Sequence, residues 1–175
     1  MKSLIVYSSQ TGNTRKLAEV VSACLPGEKQ MASVEDAPRP EDFDFVAVGF
    51  WLQAGKPDPK AAAYLQTIGH TPLFLFATHG AAADSAHAQN AMAFAKTLAP
   101  EADVLGTFNC QGEVNPNVLE KIRNKDPQPP WIGDAGDAVG HPDTEDQDKL
   151  RRILEAKVAD LRSVSAAPGG GDQTT

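Results

Sequence analysis

Between Ser9 and Thr14 the chain reads Ser-Gln-Thr-Gly-Asn-Thr. Ser9, Thr11 and Thr14 bring hydroxyls, Gln10 and Asn13 bring amides, and Gly12 permits φ > 0 and close backbone approach. Such residues donate hydrogen bonds without carrying charge, and the chemistry they suit is the cradling of a phosphate. There is no lysine in the run. Neither G-x-x-x-x-G-K-[ST] nor G-x-G-x-x-G occurs here, and a cup of backbone and hydroxyl donors suits a phosphate monoester better than a triphosphate. The same composition also makes an ordinary, well-capped turn, because Ser, Thr and Gly are common in such loops.

The cup works only if two elements hold it. Ahead of it stands a buried-type run, Leu4-Ile5-Val6-Tyr7. Behind it Leu17, Val20, Val21 and Cys24 recur at i, i+3, i+4 and i+7, a helical face. Strand, tight loop and helix in that order aim the N–H groups and positive dipole end of the helix start at one point.

The rest of the chain repeats the alternation. Lys29 to Val34 predicts a weak edge strand. Phe43 to Gly49 predicts a central strand covered on both faces, ending in the loop Phe50-Trp51-Leu52-Gln53-Ala54-Gly55-Lys56. Asp58 and Pro59 predict an N-cap and first turn, with Ala61, Tyr64, Leu65 and Ile68 at helical spacing. Leu73 to Ala77 is a further strand, and Thr78 to Ala83 a loop of small residues. Asp84 or Ser85 caps a helix to about Leu98. Val104 to Cys110 is the fifth strand, and Asn115-Pro116 opens a short helix. Lys125 to Pro142, rich in Pro, Gly and Asp, forms an excursion. Thr144 to Gln147 fits a capping box, and the last helix turns Leu150, Ile153, Leu154, Val158 and Leu161 inward. The expected organisation is one domain over 1–162 and a disordered tail over 163–175. Five apolar strands alternating with helices predict an α/β parallel sheet with helices on both faces.

Other residues carry weaker chemical signals. His79 could titrate near neutral pH, or serve as a loop histidine bonded to backbone. His70, His87 and His141 fit surface or helix-cap positions. Cys24 and Cys110 with four scattered histidines make neither a disulfide framework nor a metal set. No G-x-S-x-G elbow supports a hydrolase triad. The formal charge of −7 argues against nucleic acid. Seven acids and no Lys or Arg lie between Asp126 and Asp148, which makes either a solvated surface or a docking patch for a basic partner. No apolar run is long enough to span a bilayer. No signal peptide precedes the first strand, so the expected location is the cytoplasm.

Ser9-Gln10-Thr11-Gly12-Asn13-Thr14 closely resembles the phosphate loop of the flavodoxin family, [ST]-x-T-G-x-T, and lies after the first strand as it does there. The resemblance implies a flavodoxin-like three-layer sandwich with a five-stranded parallel sheet of order 2-1-3-4-5. It implies bound FMN, with Ser9 to Thr14 on the phosphate. Phe50, Trp51, Leu52, Gln53, Ala54 and Gly55 would form the second loop, and Thr78, His79 and Gly80 the third. Trp51 would contact one flavin face, although a Trp after a strand is otherwise usually core, and Gly55 offers a flexible peptide near N5. Two departures stand out. Three residues separate Trp51 from Gly55, and the third loop has no aromatic. His79, open solvent or Trp131 would then meet the second face.

Two functions follow from the resemblance. One is an electron carrier passing single electrons between redox partner proteins that dock on the acidic surface. The other is an FMN-dependent NAD(P)H reductase of quinones or nitro compounds. The three loops contain no arginine to hold a nicotinamide cofactor's phosphates, which favours the carrier.

Overall fold

The computed structural model describes residues 1–166. The strands are β1 (Lys2–Tyr7), β2 (Glu28–Ser33), β3 (Phe45–Gln53), β4 (Lys56–Pro57), β5 (Pro72–His79) and β6 (Asp103–Gln111). The α-helices are α1 (Asn13–Cys24), α2 (Pro59–Leu65), α3 (Ala86–Thr97), α4 (Pro116–Arg123) and α5 (Thr144–Ala166). Five strands pair in parallel in the order β2-β1-β3-β5-β6, and β4 returns antiparallel along the end of β3. Leaving out that two-residue return, the order is the expected 2-1-3-4-5.

The period of two along each strand creates two cores. Val46, Val48 and Phe50 of β3 pack with Ala61 and Leu65 of α2 and Met92 and Ala95 of α3. Phe45 and Ala47 turn the other way, onto Leu17, Ala18 and Val21 of α1 and Leu150, Leu154 and Val158 of α5. Both faces of the central strands are therefore dry, which is why they read as unbroken apolar runs. At Gly49 the sheet has no room for a side chain, since an added Cβ would lie 2.1 Å from Cε2 of Phe76 on the neighbouring strand.

Several boundaries differ from expectation. Phe50 to Gln53 belong to β3 rather than to a loop, and the turn shrinks to Ala54 and Gly55, both at positive φ (51° and 75°). That pairing suits the tight turn of a two-residue hairpin. Thr78 and His79 likewise finish β5. Ser85, not Asp84, caps α3, accepting from the Ala88 N–H. Ile153 is 37% exposed, because the inward stripe of α5 follows Leu150, Leu154 and Val158 at steps of four. The helix α5 runs through Ala166, past the expected limit at 162, and the remainder of the expected tail lies outside the described residues. Among the described residues no helix is long and apolar enough to cross a membrane.

Candidate functional site

Parallel strands end together, and the loop after β1 and the end of β3 diverge where the strand order reverses. Ligands sit in that crevice in doubly wound sheets. A cavity of about 500 Å³ opens here, within the usual range for a bound cofactor.

Gly12 stands at φ 93°, just before α1, and an added Cβ would meet nothing within 4 Å. The loop therefore folds back through a left-handed residue and leaves the helix start open. The first N–H groups of α1 have no carbonyl partner inside the helix. Ser9 Oγ accepts from the Gly12 N–H at 3.2 Å and the Arg15 N–H at 3.3 Å. Arg15 turns away to Glu19 at 3.2 Å, and Lys16 Nζ donates to the Pro142 carbonyl. The cup is thus made of neutral donors.

Of the residues expected at the phosphate end, Gln10, Thr11, Asn13 and Thr14 line the cavity. Ser9 and Gly12 lie behind it as the frame of the turn. Asn13 and Thr14 have second partners: Asn13 Nδ2 donates to the Glu113 carbonyl at 2.9 Å, and Thr14 Oγ1 lies 2.9 Å from Thr78 Oγ1 in the interior. These bonds tie the first loop to the ends of β5 and β6.

Trp51, Leu52, Gln53 and Ala54 form a second wall, and Thr78 and His79 a third. Phe50 does not line the cavity: it is fully buried on the α2 and α3 side. Alternation along β3 puts Trp51 on the opposite face from Phe50. Gly55 lies behind the hairpin turn against His87, whose Cε1 would be 3.1 Å from an added Cβ. Gly80 lies under Trp131 and Val114.

His79 is buried, with Nδ1 3.0 Å from the Ala81 carbonyl and Nε2 2.9 Å from Asn109 Oδ1. Burial lowers its pKa, against the two hydrogen bonds, which raise it, and with a small further push from His87. A neutral ring donates from Nδ1 to the Ala81 carbonyl, and its Nε2 then accepts from the Asn109 side-chain amide, turned to present its NH2 group. The backbone-bonded role is the one seen. Among the other histidines, His70 is exposed beside Glu101, and His141 Nδ1 sits 2.5 Å from Asp146 Oδ2 at the start of α5. His141, Asp143 and Asp146 cluster closely. Their bonds are those of a helix cap, since Asp143 and Asp146 each accept the other's backbone N–H.

There is a fourth wall, of which the sequence offered Trp131 alone. Glu113, Val114 and Asn115, then Val118 and Ile122 of α4, then Lys125, Pro129 and Trp131 complete the cavity. Val118 and Ile122 stand four apart, one stripe of a short helix, and none of α4 is buried. The sequence signal was a pair: an apolar i, i+4 stripe on an isolated helix, and a third loop too small to cover anything. Lys125 adds a cation to the lining, to which the three loops contribute none.

The residues fit a flat cofactor with one phosphate. Neutral donors converge at the helix start, and two indoles and an apolar stripe line the remainder. A parallel sheet with such a cup at its order reversal is the layout of a flavodoxin-like α/β domain. The chain belongs to the flavodoxin family: the flavodoxin domain model matches residues 4–155. Flavodoxin-like domain-containing protein BilS of Clostridium symbiosum (strain WAL-14163) is 31% identical over 183 residues, covering 90% of this chain and 96% of that one. The protein of that name from Clostridioides difficile (strain CD3) is 30% identical over 128 residues, 70% of this chain and 73% of that one. Among solved structures, a flavodoxin from Streptococcus pneumoniae TIGR4 superposes with a TM-score of 0.61 at 12% identity, covering 91% of this chain and 99% of that one. A flavoprotein in complex with FMN from Lactobacillus acidophilus NCFM gives a TM-score of 0.52 at 15% identity, covering 62% of this chain and 92% of that one.

Proposed function

We propose that this chain binds one FMN without a covalent bond and carries single electrons between protein partners in the cytoplasm. The observation that carries the reading is the open start of α1 behind Gly12, a neutral donor cup facing a cavity of about 500 Å³. The N–H groups at the start of α1, with Gln10 and the Thr11 hydroxyl, would hold the phosphate. Trp51 and the turn at Ala54 would hold the ring. When bound, FMN supplies a ring that takes up and releases electrons one at a time. The protein's part is to keep that ring oriented and largely dry, which a rigid, neutral His79 and the Thr14–Thr78 contact support.

Docking rests on a smaller acidic surface than the count of acids suggests. Asp134 accepts the Ala82 N–H, Asp143 and Asp146 cap α5, and Asp148 pairs with Arg151. Glu145 pairs with Lys149 at 2.8 Å, so electrostatic attraction of a basic partner falls mainly to Asp126 and Asp137.

One observation favours a second reading, an FMN-dependent NAD(P)H reductase of quinones or nitro compounds. The cavity extends past the three loops to Val118, Ile122 and Lys125, room and charge for a further small molecule. A single set of measurements decides. The carrier should retain FMN at micromolar concentration and show two resolved one-electron midpoint potentials. Steady oxidation of NADPH with a quinone, by this protein alone, would establish the reductase instead.

A further inference from the structure

Beyond the three loops stands the fourth wall. Its middle is pinned to the third loop: the Ala82 N–H donates to Asp134 Oδ2 at 2.9 Å, and Gln111 Nε2 donates to the Asp134 carbonyl at 3.1 Å. Its base is closed by the Glu113 N–H on the His141 carbonyl at 2.9 Å and the Gly140 N–H on Glu113 Oε2 at 3.1 Å. The backbone of the third loop and the indole of Trp131 touch so closely that a Cβ on Gly80 would lie 2.9 Å from Trp131 Cε3. Glycine at this position lets the indole rest directly on the main chain. In contrast, α4 buries none of its residues, and Val118, which lines the cavity, is 41% exposed. The segment is thus anchored at its base and beside Trp131. It carries apolar side chains to a cavity where Val118 is left exposed and Ile122 and Trp131 are only half-buried, and a flat apolar surface inside that cavity would cover them further.

We propose that the segment from Glu113 to His141 is a lid for the ring of the bound cofactor, and that Trp131 is its ring contact, supplied to a third loop that has no aromatic of its own. The inference rests on the FMN reading above. It makes the ring site of this chain a product of two regions far apart in sequence, the end of β3 with Trp51 and the lid with Trp131.

The test separates ring contacts from phosphate contacts by titrating each variant with FMN and with riboflavin, which lacks the phosphate. Trp131→Ala should weaken both by a similar factor, about tenfold for a lost aromatic contact. Trp131→Phe, which keeps a ring, should lose about threefold or less. Gly80→Ala, which pushes the indole off its seat without removing it, should also weaken both ligands. Thr11→Val should weaken FMN alone. Backbone amides from 116 to 133 should exchange more slowly with FMN present. The lid is overturned if wild-type protein binds FMN while Trp131→Ala and Gly80→Ala bind both ligands as tightly, or if Trp131→Ala weakens FMN alone. A wild-type protein that takes up no FMN overturns the cofactor reading, and the lid with it.

Discussion

Ser8 and Asp58, fifty positions apart, share a buried hydrogen bond of 2.8 Å from the serine hydroxyl to Asp58 Oδ1. The same carboxylate caps α2 through the Lys60 and Ala61 N–H groups, and the Asp58 N–H donates to the Trp51 carbonyl at 3.0 Å. Ser8 directly precedes the candidate phosphate loop, Ser9 to Thr14. One aspartate therefore fixes the first loop, the end of β3 and the start of α2 in a single register.

Asp58→Ala should lower unfolding free energy by about 3 kcal/mol, of which about 1 is a lost cap and about 2 a lost hydrogen bond to a charged group. Ser8→Ala removes only the second contribution and should cost about 1.5–3 kcal/mol. Urea denaturation of the two single variants and the double variant checks this. Strong coupling in the double variant is expected, because both singles break the same bond.

The close approach at Gly49 makes a sharper test. A methyl there would stand 2.1 Å from the Phe76 ring, so Gly49→Ala should cost at least the usual overpacking penalty of about 1–3 kcal/mol. Adding Phe76→Leu should recover part of the loss, read as a thermal or urea midpoint higher than that of Gly49→Ala alone.

At the hairpin turn the two positive-φ residues respond in opposite directions. Ala54 sits at φ 51°, where a side chain costs roughly 1–2 kcal/mol, so Ala54→Gly should be neutral or stabilising. Gly55→Ala should destabilise by roughly 1–2 kcal/mol, since it adds the same strain and pushes on His87. Denaturation midpoints of both variants provide the comparison.

His79 predicts a pH dependence of stability. Burial holds its folded-state pKa below the usual value, so the unfolded chain binds more protons as pH falls through about 6.5. The stabilisation is complete above that pH and is lost on acidification toward the lower folded value. His79→Gln should flatten the slope of urea midpoint against pH between about 5.5 and 7 relative to wild type.

The strand–loop–helix unit that carries the candidate phosphate loop was legible because all of its parts are contiguous: strand, Ser9 to Thr14, and helix follow without interruption. The strand order came with the family resemblance, and the parallel sheet came from unbroken apolar runs that only two-sided burial explains. Phe50 and Trp51 were harder. Adjacent aromatics at a strand end look alike in sequence, and only the extension of β3 to Gln53 assigns one to the core and the other to the cavity. The fourth wall was least legible. Val118 and Ile122 meet the loops only through tertiary contacts, and the short helix carrying them has no buried position of its own to mark it. Asp134 looked like one more surface acid, and its bond to the Ala82 N–H depends on the path of a long excursion.

A parallel sheet also has a direction. Every strand of the five runs toward the cavity, so the start of β1 lies at the opposite end, about 20 Å away for six residues of extended chain. Anything joined ahead of Met1, whether a tether, a surface or another folded unit, meets the molecule on its far side. Immobilised by that end, the protein would present its mouth outward, and a diffusing partner could approach the cavity without crossing the attachment.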